Sequence, residues 1–168
     1  MLYLDSLNKS LHNILRKNQD VIFIGEDLLD PYGGAFKVSK GLSTNFPRQV
    51  ISTPISEAGI VGAATGMAMR GLKPIVELMF GDFIALASDQ IINHATKYNW
   101  IYNGQVTVPL VIRTPVGGRR GYGPTHSQSL ESLFMSVPGL DIIAPSLCHN
   151  PGEMLEGLIK TIERPTIF

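Results

Sequence analysis

The sequence predicts an α/β fold: an open, mostly parallel sheet with helices on both faces. Short apolar runs that read as strands alternate with helical patterns, the order that builds parallel strands through right-handed crossovers. The clearest run, Val21-Ile22-Phe23-Ile24, is apolar without interruption, as in strands buried on both faces of a sheet. The 168 residues are about one domain's worth of chain.

The elements follow in order. Residues 2–17 form an amphipathic helix, with Leu4, Leu7, Leu11, Ile14 and Leu15 at spacings of three and four. Val21 to Ile24 is the first strand, ended by Gly25. Pro31, Gly33 and Gly34 mark residues 26–42 as an irregular loop, and residues 48–53 read as the second strand. Ser56 is placed to cap a helix of small apolar residues that runs to Met69, with Gly71 as its stop. Residues 73–77 are the next strand. Residues 83–98 read as one helix with Ile84, Ala87, Ile91 and Ala95 along one side, and residues 108–113 as a strand. A loop rich in glycine and proline follows, to His126. Residues 129–137 read as a short helix and 140–144 as a strand. Asn150 and Pro151 open a helix to Ile162, and residues 165–168 begin a last strand.

Charged residues make up 17% and hydrophobic residues 44%, against about 25% charged in a typical chain. That composition excludes a disordered protein. Fourteen basic residues balance fourteen acidic ones, leaving no surplus to neutralise phosphates, so nucleic acid is not an expected partner. No apolar run reaches the roughly 18 residues of a membrane span, and the first residues lack a signal-peptide pattern. One cysteine, Cys148, excludes an internal disulfide and any zinc site built on paired cysteines. The expected setting is cytoplasmic. The seventeen glycines and the balanced charge suit a chain that buries surface against a partner.

Ligands of such sheets sit beyond the carboxyl ends of the strands. Glu57 stands there, ahead of an apolar helix. It is either a helix-dipole partner or a carboxylate of raised pKa that shares a proton with a ligand nitrogen. His126 is either a solvated loop residue or a general acid/base. Arg119 and Arg120 are either a solvated tip or an anion contact, and Phe83 either core or a ring-stacking platform. Gly62 and Gly66 let another element approach their helix closely, whether another helix, by the packing logic known from membranes, or the protein's own sheet. No P-loop, HExxH or GxSxG pattern occurs.

The motifs TPISEAGIVGAATGMAMRGLKPIVELMFGDF, DQIINHATK, RTPVGG, THSQS and VPGLDIIAPS together resemble the beta subunit of thiamine-diphosphate-dependent 2-oxoacid dehydrogenases. These are the decarboxylating components of the pyruvate, branched-chain and acetoin dehydrogenase complexes. The resemblance runs from about Leu7 to Phe168 and implies the pyrimidine-binding domain of the transketolase-like fold over residues 1–168. The family's usual C-terminal domain is not contained in it. The implied activity is oxidative decarboxylation of a 2-oxoacid with acyl transfer to a lipoyl carrier. Alternatives are a transketolase or deoxyxylulose-phosphate synthase relative, or a non-catalytic dimerisation module.

On this resemblance Glu57 hydrogen-bonds the aminopyrimidine ring nitrogen of thiamine diphosphate and so sets up loss of the proton at the thiazolium carbon. Phe83 packs on the pyrimidine ring, Ile55, Met79 and Glu26 line the same pocket, and His126 faces the reacting centre. Here Gly81-Asp82 is followed by Phe83, so the magnesium-diphosphate half is expected from an alpha subunit. Further implied partners are a second copy of the chain and a lipoyl-bearing acyltransferase. Some members of the family bind potassium through carbonyls near Leu110 and Val111; the short turn from Thr161 to Pro165 departs from that pattern.

Overall fold

A computed structural model describes residues 3–168 of the chain. The main elements are helices α1 (Tyr3–Lys17), α2 (Leu42–Asn45), α3 (Glu57–Met69), α4 (Tyr98–Ile101) and α5 (Pro151–Thr161), with strands β1 (Val21–Glu26), β2 (Val50–Thr53), β3 (Lys73–Glu77), β4 (Val111–Arg113), β5 (Asp141–Ile142) and β6 (Thr166–Ile167). The strands form one six-stranded sheet in the order β2-β1-β3-β4-β6-β5, and every pairing is parallel. The expected fold class is the observed one. The predicted start of α1 at Leu2 lies outside the described residues.

Side chains alternate across the sheet, as the period of a strand requires. Phe23, Ile75 and Val111 face a core shared with Leu7, Leu11 and Leu15 of α1 and Leu155 and Ile159 of α5. Their neighbours Ile24, Val76 and Ile112 face a second core with Ile60, Val61 and Ala64 of α3 and Ile84 and Ile91. Asn150 caps α5, its side chain accepting from the N–H groups of Gly152 and Glu153. A Cβ on Gly152 would come within 2.5 Å of the Ser6 carbonyl oxygen, so a bare glycine is what lets α5 lie against α1.

Four expectations are corrected. The helix expected over residues 83–98 is a 3-10 segment (Gly81–Ala87), a π-helical turn (Gln90–Ala95) and then α4. Its apolar side, Ile84, Ala87, Ile91 and Ala95, is buried as expected. The turn is widened by a five-residue backbone bond, the Thr96 N–H donating to the Ile91 carbonyl at 3.2 Å, and the Asp89 side chain at its start binds those of Asn93 and His94. The strand expected from Val108 starts only at Val111, because Pro109 has no N–H to give a ladder and the Leu110 N–H turns back to the Val108 carbonyl at 2.9 Å. The helix expected over residues 129–137 is a 3-10 turn, Glu131–Phe134. The loop expected over residues 26–42 contains a 3-10 turn, Ala35–Lys37, and runs into α2. The Asp30 carboxylate organises it, accepting from the Gly41 and Thr44 N–H groups and the Ser43 and Thr44 hydroxyls. Those bonds, the Thr44 hydroxyl first, hold Asp30 well below the usual carboxylate range.

One face of α3 remains open. Gly62 lies against the Gln90 side chain, whereas a Cβ on Gly66 would meet nothing within 4 Å. Gly59, Ala63 and Gly66 are exposed. Among the described residues no helix is long and apolar enough to cross a membrane.

Candidate active site

The strand order reverses between β1 and β3, since the chain passes from β1 to β2 on one side and returns to β3 on the other. Such a reversal opens a crevice at the carboxyl ends of the strands. Glu26 ends β1 and Glu57 begins α3 after β2. Phe83 lies in the segment after β3, and His126 in the loop after β4. Four of the expected residues therefore arise from four successive connections of one sheet edge.

The two carboxylates are buried, Glu26 at 3% exposure and Glu57 at 6%. Burial, then the charge of Glu57 and that of Asp27, push the Glu26 carboxyl up to about 7 from an ordinary 4.5. Its Oε1 is buried with no hydrogen-bond partner among the described residues, an uncommon state for a polar atom in a protein interior. Ser56 holds the N-cap position of α3 but makes no side-chain capping bond. Glu57 sits in the first helical turn, where the dipole favours its charge. The edge therefore presents a carboxylate beside a carboxyl that titrates near neutrality.

This pair has a measurable signature. Folded Glu26 keeps its proton to about pH 7, whereas the unfolded chain releases it near 4.5. The folded state binds more protons in that window, so stability falls as pH rises from about 4.5 through 7. Glu26→Gln is expected to flatten the window and to stabilise the protein at about pH 8 by up to about 3 kcal/mol. Urea midpoints on either side of the window check this; an unchanged pH slope would mean that Glu26 titrates normally.

The next connection supplies an aromatic cluster. His126 stands edge-on to Phe80 and Phe83, with ring centroids at 4.8 and 5.1 Å. Phe80 also meets Phe36 and Tyr122, and Arg120 lays its guanidinium over Phe36 at 5.1 Å. Arg119 and Arg120 are both exposed, as the solvated-tip reading expects, and Arg120 lies over Phe36 in addition. Phe83 and His126 come together, as expected of residues sharing a site. Ile55 is 74% exposed at the rim after β2, and Met79 is half-buried after β3. Leu110 and Val111 lie at the opposite, amino end of β4, where the Leu110 carbonyl accepts the Thr166 N–H at 2.8 Å.

The sequence reading missed Glu77 and Arg113. Register pairs these two residues across the ends of β3 and β4. The guanidinium donates through Nε and Nη2 to the two carboxylate oxygens, each at 2.6 Å, with both side chains almost wholly buried. Burial pushes the Glu77 carboxyl up and the Arg113 charge opposes it; the two-pronged geometry is that of a strong charge-assisted pair. Arg113 and Thr114 border a cavity of 430 Å³ that reaches Tyr122 and His126. The Thr114 hydroxyl is buried there without a partner among the described residues.

Residues 1–168 match the model of the transketolase pyrimidine-binding domain. The chain belongs to that family. The pyrimidine-binding domain is 40% identical over 171 aligned positions to the beta subunit of acetoin:2,6-dichlorophenolindophenol oxidoreductase of Bacillus subtilis, an alignment covering 95% of this chain and 49% of the relative. It is 40% identical to the pyruvate dehydrogenase E1 component subunit beta of Leifsonia xyli, covering 97% and 48%. The 2-oxoisovalerate dehydrogenase subunit beta of Pseudomonas aeruginosa is 39% identical, covering 100% and 48%. The domain spans about half the length of these relatives. Among solved structures, a split-gene transketolase described as an inactive beta4 tetramer superimposes with a TM-score of 0.75 at 20% identity, covering 98% of this chain and 49% of the other. A transketolase mutant from Pichia stipitis gives 0.71 at 15% identity, covering 98% and 25%. Both agree with the fold of the pyrimidine-binding domain.

Proposed function

We propose that this chain is the pyrimidine-binding part of the beta subunit of a thiamine-diphosphate-dependent 2-oxoacid dehydrogenase. The observation that carries the proposal is the carboxylate pair at the sheet reversal: Glu57 at the start of an apolar helix, beside a Glu26 oxygen buried without a partner. That donor set fits the aminopyrimidine end of the cofactor, which asks for a group able to hold and exchange one proton. The relatives named as pyruvate and 2-oxoisovalerate dehydrogenases support the substrate class.

When bound, thiamine diphosphate supplies the carbanion chemistry that decarboxylates a 2-oxoacid. The chain's own residues do the rest. Glu57 would hold the pyrimidine ring nitrogen and exchange a proton with it, with the Glu26 carboxyl, raised to about 7, nearby. Phe83 offers an aromatic face to the ring. His126, set against Phe83, serves as acid/base or hydrogen-bond donor at the reacting centre. Ile55 and Met79 border the same pocket. The diphosphate and its magnesium are assigned to an alpha subunit, and the acyl product to a lipoyl-bearing acyltransferase. A second copy of the chain is assigned to the open face of α3, and the setting is cytoplasmic.

Mixing the chain with its alpha partner and assaying pyruvate, branched-chain 2-oxoacids and acetoin tests the reading. A 2-oxoacid-dependent reduction of lipoyl acceptor is expected, with thiamine diphosphate held far more weakly by the chain alone in calorimetry. Ketol transfer between sugar phosphates with no 2-oxoacid turnover would overturn it in favour of a transketolase.

A further inference from the structure

The turn from Phe80 to Phe83 makes two kinds of contact with one loop. Phe80 and Phe83 flank the His126 imidazole, at interplanar angles of 81° and 87°. Between them in sequence, Asp82 accepts from Gln128 twice: from the side-chain Nε2 at 2.7 Å and from the backbone N–H at 3.3 Å. The Gln128 carbonyl in turn accepts from the Gly117 N–H at 3.2 Å, which closes residues 118–127 into a loop. On the near side of that loop, the Gly81 N–H donates to the Pro115 carbonyl at 2.8 Å. A Cβ on Gly81 would press within 2.5 Å of Val116. One turn thus grips the loop at both of its feet.

The loop needs such a grip. Gly117, Arg119, Gly121 and Gly123 all have φ between 70° and 91°, a run of turns with little regular hydrogen bonding of its own. His126 is two residues from Gln128. Among the described residues Asp82 enters no ion pair, so its oxygens are left to accept from Gln128.

We propose that Asp82 is a positioning residue for His126, acting through Gln128 to hold the loop so that the imidazole stays against Phe83. The proposal rests on the reading of His126 as a residue of the reacting centre. Asp82 itself touches neither substrate nor cofactor in this role.

The test uses the full-length protein assembled with its partner. Asp82→Ala removes both Gln128 bonds of the clamp, and Gln128→Leu removes the shorter, side-chain one; the second lies at an exposed position, so folding is not at stake. Asp82→Asn keeps an oxygen for Gln128 Nε2. Three readouts are taken: trypsin cleavage after Arg119 and Arg120, the His126 ring signal in NMR assigned with His126→Ala, and kcat against KM. Both clamp-removing variants are expected to speed cleavage and shift the ring signal. Asp82→Ala should lower kcat by about 10- to 100-fold, the cost of a misplaced reacting group, and Gln128→Leu by less, both with KM within about twofold. Asp82→Asn should restore most of the loss on all three readouts. Ring signals and cleavage unchanged in both clamp-removing variants would overturn the proposal, as would an Asp82→Asn variant as impaired as Asp82→Ala. Failure of the underlying reading looks different: His126→Ala would then retain turnover, while the ring and cleavage readouts still decide the clamp.

Discussion

Replacing Glu57 with glutamine is expected to lower turnover of the assembled enzyme by about 100- to 10,000-fold, the range that positioned acid/base groups contribute. The side chain is buried at the first turn of α3, and glutamine fills the same volume and still hydrogen-bonds. It cannot exchange a proton. The loss should therefore fall on kcat, with thermal unfolding nearly unchanged. The same substitution removes one of the charges that push Glu26 up, so the Glu26 titration should move down. Steady-state kinetics beside a pH series of unfolding midpoints separates the two effects; a variant that loses stability and activity in parallel would make Glu57 a structural residue.

The largest effect on folding is expected at Arg113. Its guanidinium satisfies both oxygens of Glu77, and both side chains are almost wholly buried. Arg113→Met would strand a buried carboxylate, which costs about 3–5 kcal/mol. Replacing both residues with apolar ones of similar size, Glu77→Leu with Arg113→Met, should recover much of that loss, because a buried pair and a packed apolar pair are often close in stability. Urea unfolding of the two single variants and the double variant gives the coupling. Additive losses would mean that the pair does not act as a unit.

What could be read from the sequence, and what could not, divides by range. The strands around Val21–Ile24 and Ile75–Val76 announce themselves because both faces of the sheet are covered, so their centres are apolar; the first runs on through Gly25 to Glu26, past the expected stop. The start of α5 is legible because Asn150 and Pro151 cap it locally. Glu57, Phe83 and His126 are proposed from contiguous motifs. The Glu77–Arg113 pair was not, since it depends on the register of two strands and joins residues 36 apart. The same holds for Asp30, which orders α2 from 13 and 14 residues away. The broken segment after β3 was hidden because its apolar residues keep a helical spacing while its backbone bonds widen to five residues. The contact of exposed Arg120 with Phe36 could not be read because Phe36 comes from a distant loop. Local rules thus placed the elements and motif residues, and long-range charge placement had to come from the fold.

The central claim is that Glu57 exchanges a proton with the pyrimidine ring of thiamine diphosphate. Its most direct measurement is hydrogen–deuterium exchange at the thiazolium carbon, followed by NMR on cofactor bound to the assembled protein, wild type against Glu57→Gln. The account predicts exchange slowed by about 100-fold or more in the variant, with cofactor still bound. Exchange at the wild-type rate would contradict it and leave Glu57 as no more than a charge at the start of a helix.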